Sequence, residues 1–289
     1  MTSPLATGVF GLASATSWGA GDFSGGLATK RAPVYTVAAV SKLVSLATML
    51  LFAWLRAEQI PSLHVLVWAG AAGVGGAVGL MALYQALAVG VMAVAAPVSA
   101  IIAAAMPVVF AALSEGLPTG WQLAGFALAM VAVWFISRPA DVALPGGPRQ
   151  TRGLRLATLA GIGFGCFYIF ISKARTDAVF WPLAASQFIT FVTVVVVAGT
   201  VALTRRDATN RLPIDAIRLM LLAGLLDAGG NAFFLLAEHA GRLDVAAVLA
   251  SLYPASTVVL ARLVLKERVS STQTVGIIAA LASIPLIAG

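Results

Sequence analysis

Asp227 lies inside a long apolar run, between Leu225-Leu226 and Ala228. Asn231 and Glu238 follow it in the same run. At about 3.6 residues per helical turn, Asp227, Asn231 and Glu238 share one face of a helix. Such a stripe could line an aqueous path, with Asp227 and Glu238 taking up a proton or cation. A charge at the bilayer centre costs at least about 2.5–3.5 kcal/mol on insertion scales, so it needs a wet cavity or a partner. The plainer role for Asp227 is an ion pair that fixes packing. Lys42 is the only basic residue deep in an apolar run. It could pair with Asp227, bind a carboxylate substrate, or extend its ammonium toward the membrane surface. Trp18, Tyr84, Gln85, Phe167 and Tyr168 are candidates for a cavity wall. Aromatic faces accept apolar or cationic ligands, and Tyr and Trp each donate one hydrogen bond. The same residues would serve equally as packing or lipid-facing aromatics. Asp22 is one turn beyond Trp18, and either lines the cavity or sits near the membrane surface, where a charge is cheap.

The elements that must position these groups follow from composition. The chain has 289 residues, 60% hydrophobic and 10% charged, with a mean hydropathy of +0.98. Soluble domains carry about 25% charged and about 45–50% apolar residues. This excludes a soluble globular enzyme and a disordered chain. The net charge of +7 does not indicate nucleic-acid binding, because the basic residues are scattered rather than gathered on one face. A single Cys166 leaves no disulfide framework, and two histidines, His64 and His239, make a Cys/His metal site unexpected. No cofactor is implied. No P-loop motif occurs, so the sequence carries no sign of ATP binding through one.

Apolar runs of about 20 residues cross a bilayer as helices. About ten are present, at Leu5–Ala28, Val34–Leu55, His64–Val89, Met92–Leu113, Trp121–Ser137, Leu156–Lys173, Trp181–Leu203, Ile217–Glu238, Leu243–Leu265 and Thr272–Ala288. Lipid offers no partner for backbone polar groups, and the alternating segments of a β-barrel are missing, so the expected fold is an all-α membrane protein. The first run lacks a basic leader and reads as a span rather than a signal peptide.

The Pro/Gly-rich segment around 143–148 divides the chain nearly in half, which prompts a search for a repeat. A shift of 151 residues brings Ala72-Gly73 onto Ala223-Gly224, Gly79 onto Gly230, Ala86 onto Ala237, and Val94-Ala95-Ala96 onto Val245-Ala246-Ala247. With small insertions, Trp18-Gly19 matches Phe164-Gly165, Ser41-Lys42 matches Ser186-Gln187, and Glu115 matches Glu267. Gln122-x-x-Gly125 matches Gln273-x-x-Gly276. The expected organisation is a first repeat at 1–138, a linker at 139–153 and a second repeat at 154–289. About five spans in each half force the second to insert upside down, the inverted-repeat plan of many secondary transporters. Gln187 thereby joins the candidate cavity residues as the neutral mate of Lys42.

Trp18-Gly19 through Phe23, Tyr84-x-Ala86-Leu87, Pro107 and Glu115 resemble the first repeat of EamA-type transporters, of the drug/metabolite transporter superfamily. Tyr253-Pro254, Leu263, Glu267-Arg268, Gln273 and Gly276 resemble the end of the second. The resemblance implies ten helices in two inverted five-helix repeats around a central cavity, working by alternating access. The chain departs from the pattern at Ile102-Ala103, where Tyr253-Pro254 would align, and at Lys42, where the family often has arginine.

Several residues have expected structural roles. Gly73, Gly75, Gly76 and Gly79 should allow close helix packing or a bend. Pro97, Pro107 and Pro254 could kink their spans. Glu115 and Glu267 should meet helix N-termini or arginines. His239 beside Glu238 should be solvated, or relay protons. Lys30, Arg31, Arg138, Arg149, Arg152, Arg155, Arg205, Arg206, Arg211, Arg218, Lys266 and Arg268 gather on alternate loops, against Arg56, Lys173, Arg175 and Arg242 opposite. The positive-inside rule puts the first set in the cytoplasm and both termini outside, in a bacterial inner membrane. The expected activity is secondary transport, by export, of a small organic metabolite or drug-like molecule, without enzymatic chemistry and as a monomer or homodimer. A passive channel or a structural membrane subunit is the competing reading.

Overall fold

The computed structural model describes residues 3–88, 92–137, 148–204, 212–266 and 270–288. They form α1 (Pro4–Thr29), α2 (Val34–Leu55), α3 (Leu63–Ala88), α4 (Met92–Ser114), α5 (Gly120–Ile136), α6 (Pro148–Lys173), α7 (Phe180–Thr204), α8 (Ile214–Ala240), α9 (Leu243–Ala250), α10 (Tyr253–Leu265) and α11 (Ser271–Ala288). The regular structure among the described residues is all helical, and seven segments of them, counting α9 and α10 as one, are long and apolar enough to cross a membrane. Its outer surface is apolar, with Val67 60%, Val109 62% and Leu281 62% exposed. Its interior is rich in alanine, glycine and serine. Lipid supplies no hydrophobic drive between helices, so small residues that allow close backbone approach hold such a bundle together.

Local sequence sets the helix ends. The Ser3 hydroxyl accepts from the Ala6 N–H and Pro4 opens α1, where its missing N–H costs nothing. Thr119 and Gln122 form a reciprocal capping box at α5. Ser270 and Gln273 repeat it at α11, each side chain bonded to the other's backbone N–H.

The ninth expected span is broken. α9 ends at Ala250 and α10 starts at Tyr253, with Ser251 and Leu252 between. Pro254 has no N–H to give to Ala250, and its ring crowds that carbonyl. Pro97 and Pro107 leave α4 unbroken.

The helix pairings exchange between the halves. α1 packs on α8 as α6 packs on α3, and α2 packs on α8 as α7 packs on α3. α2 meets α7, and α5 meets α11. Individual contacts recur at the 151-residue spacing. Gly230 lies against the Trp18 ring with no room for a Cβ, and Gly79 lies in the same way against Phe164. Gly224 abuts the Ser41 carbonyl and Gly73 the Ser186 carbonyl. Gly125 meets Leu286-Ile287, and Gly276 meets Phe135-Ile136. Gly75 and Gly79 both serve packing against α6, at Gly163 and Phe164.

Candidate functional site

The polar groups at mid-depth converge from three helices. Lys42 on α2 donates from Nζ to Asp227 Oδ1 on α8 at 2.9 Å. Gln187 on α7 donates from Nε2 to Asp227 Oδ2 and to Ser45 Oγ, the latter at 2.6 Å. Asn231 donates to the Asp227 backbone carbonyl at 2.6 Å. Both oxygens of the Asp227 carboxylate are therefore held by donors. The Lys42 and Asp227 side chains keep 17% and 22% of their accessible surface, so the pair is partly wetted. Gln187 and Asn231 are buried. Lys42 is paired, neither free for an anion nor extended toward the membrane surface.

Aromatic residues roof this cluster. The Trp18 ring lies 5.9 Å from those of both Tyr168 and Phe234, which are themselves 4.7 Å apart. Phe167 sits edge-on to Tyr168 at 5.7 Å. Gln85 is exposed on α3 and makes none of the cluster's hydrogen bonds. Tyr84 belongs to α3, but its side chain lies outside the described residues, as do the whole of Glu267 and Arg268.

Asp22 is the residue sequence reasoning left undecided. On α1, Gly11, Ala15, Trp18, Asp22 and Gly26 recur every three or four residues and share a face. Gly11 is closed by Leu249, Ala15 is 3% exposed and Trp18 is covered by its aromatic partners. From Asp22 onward the face opens, since Asp22 and Gly26 are both exposed and nothing lies within 4 Å of a Cβ built on Gly26. Yet Asp22 is surrounded by protein, close enough to feel the charges of Asp227 and Lys42 and to act on Tyr168 and Tyr253. Asp22 is thus both exposed and close to the charged centre, on the open side of α1. The signal for it in the sequence is the run of small residues leading to a carboxylate one turn past a tryptophan.

The end of the bundle that carries the N-terminus is cross-linked. Arg175 on the α6–α7 turn pairs with Glu238 at 3.4 Å and donates to the His239 carbonyl. Glu238 is therefore part of this cross-link, and His239 Nε2 lies 3.7 Å from its Oε2. Arg242 pairs with Asp244 at 2.7 Å and donates to the Gly116 carbonyl, tying the α8–α9 turn to the α4–α5 turn. Glu115 accepts from the Leu243 N–H, as expected of a carboxylate at a helix N-terminus; burial and nearby Asp244 raise its pKa. Glu58 caps α7 from another element, accepting from the Val179, Phe180 and Trp181 N–H groups. At the opposite end, Arg31 and Asp215 pair at 3.3 Å, both well exposed.

A hollow of about 360 Å³ also lies between α3 and α6, lined by residues such as Val74, Val78, Ile162 and Phe170. It is apolar and faces outward, where lipid would be, so it holds no chemistry.

Many apolar helices around a small, satisfied polar centre define an integral membrane protein built as a helical bundle. Residues 151–289 match the model of the EamA-like transporter family. A crystal structure described only as that of a protein superposes with a TM-score of 0.80, covering 99% of each chain at 12% identity. That likeness shows a fold shared with that structure over both halves of the chain. No curated protein matches the chain. The second half of the chain is thus similar to the EamA-like transporter family, and the whole chain shares its fold with that solved structure.

Proposed function

We propose that this protein is a secondary transporter that exports a small organic molecule by alternating access between two inverted five-helix repeats. The observation that carries the reading is the α1 face, packed from Gly11 to Trp18 and open from Asp22 to Gly26. A cavity closed at one end and open at the other is what one state of such a cycle requires. The exchange of helix pairings between halves supports a second state related to the first by the same pseudo-symmetry. The positive-inside rule places the open end in the cytoplasm of a bacterial inner membrane, with both termini outside. The cavity then loads from inside, in keeping with export.

The substrate site comprises Trp18, Lys42, Tyr168, Gln187 and Asn231. Asp227 is the coupling carboxylate: a proton there weakens its bond to Lys42 and loosens α2 from α8. The charged and titratable groups facing it are Lys42 and Asp22, with Tyr168 and Tyr253 beyond. Glu238 acts at the closed end, where its pair with Arg175 must part for the cavity to open outward.

Reconstitution in liposomes tests this. Flux should saturate and show counterflow, and Asp227→Asn should abolish uptake driven by a pH gradient while exchange continues. Flux linear in concentration without counterflow identifies a passive channel instead. PH-driven uptake that persists in Asp227→Asn removes Asp227 from coupling.

A further inference from the structure

Building on the transporter reading, we propose that the cavity takes an organic cation with an apolar or aromatic body, and that Asp22 binds its charge. Asp22 accepts no hydrogen bond from any described residue and is exposed inside the bundle, whereas Asp227 has both oxygens occupied by Lys42 and Gln187. Lys42, the one ammonium at this depth among the described residues, is thus already engaged. Asp227 and Lys42 offset each other, which leaves Asp22 without a counter-charge of its own among the described residues. An anionic ligand would have to displace Asp227 from Lys42 and then lie beside two carboxylates. A cation needs no rearrangement: it supplies the partner that Asp22 lacks.

The surroundings fit the rest of such a ligand. Trp18 is one turn along α1 from Asp22, with Tyr168 against its ring, and Tyr253 lies within reach of the Asp22 charge. Aromatic faces attract cations electrostatically and accept apolar surface. The free space beside Gly26, one turn from Asp22 on the open side, provides the approach. Asp22 thus stands at the boundary between the aromatic roof and the open vestibule.

The test measures binding to the full-length protein in lipid nanodiscs, by calorimetry and by quenching of tryptophan fluorescence. The probes are phenethylamine, cationic at neutral pH, 3-phenylpropionate as the anion of similar shape, and phenethyl alcohol as the neutral one. Phenethylamine should bind the natural protein most tightly. Asp22→Asn should weaken it at least tenfold, without changing phenethyl alcohol binding or the melting temperature. Asp22→Glu should restore a substantial part. Equal phenethylamine affinity in Asp22→Asn, or tighter binding of the anion, overturns the proposal, as does a natural protein that binds none of the three. Counterflow of the same probes in liposomes separates the two readings. Phenethylamine that binds through Asp22 but is not carried overturns transport and leaves the site standing. Flux of the anion with phenethylamine unbound overturns the ligand class and leaves transport standing.

Discussion

The two halves of this chain share their helix contacts but not their chemistry. Trp18 packs on Gly230 as Phe164 packs on Gly79, and the Thr119–Gln122 cap is matched by Ser270–Gln273. The charged positions at mid-depth break the match. Lys42 corresponds to Gln187, and at the 151-residue spacing Asp227 corresponds to Gly76. In the register that sets Trp18 against Phe164, Asp22 corresponds to Tyr168. Lys42 and Gln187 reach the same carboxylate, each bonding one oxygen. The halves therefore agree where backbones must approach closely, and differ where a ligand or proton would meet the protein. A symmetric scaffold can supply two related states, while an asymmetric site gives the cavity one orientation for its ligand.

The largest way to break that comparison is to strand one charge. Asp227→Leu leaves Lys42 unpaired at depth and should cost about 3 kcal/mol, the lower part of the range for breaking a buried pair. Lys42→Met combined with Asp227→Leu should recover most of this loss, as unfolding in denaturing detergent would show. Next come the matched glycines. Gly79→Leu and Gly230→Leu should each destabilise by about 1–3 kcal/mol through overpacking. Their melting temperatures should fall by similar amounts, and a large loss at only one of them would mean that the shared contacts are not equivalent in strength. Gln187→Leu removes a hydrogen bond to a charged group and should cost about 1.5–3 kcal/mol, with Asp227 keeping Lys42 as its partner. Pro254→Ala should affect stability less, and should slow hydrogen exchange at Ala255 by helping α9 and α10 join. The smallest effect on stability belongs to Asp22→Asn, which removes a charge that accepts no bond and should leave the melting temperature unchanged.

The membrane class and the helix positions were readable, and Lys42 and Asp227 stood out because charge is scarce here and conspicuous at depth; that they pair was only one of three roles open to Lys42. Gln187 was readable only through the repeat, since an isolated glutamine carries no signal. Asp22 was not, because its place depends on which side of α1 is covered by α8 and α9, a tertiary matter. The pairing of Arg175 with Glu238 and of Arg242 with the α4–α5 turn joins segments far apart in sequence and has no local signature. Pro254 breaks its span while Pro97 and Pro107 do not, so proline marks where a helix can break without deciding that it will.

α1 is absent from the helices apolar enough to cross a membrane by length and composition. Its serines are satisfied by α8: Ser14 donates to the Gly230 carbonyl at 2.8 Å and Ser17 to the Leu226 carbonyl at 3.0 Å. Those partners are made more than 200 residues later in synthesis. α1 must therefore wait during synthesis, incompletely satisfied, until α8 has followed it. Biogenesis of this protein should hinge on whatever shelters α1 during that interval, and truncation before α8 should leave the N-terminal helix poorly retained in the bilayer.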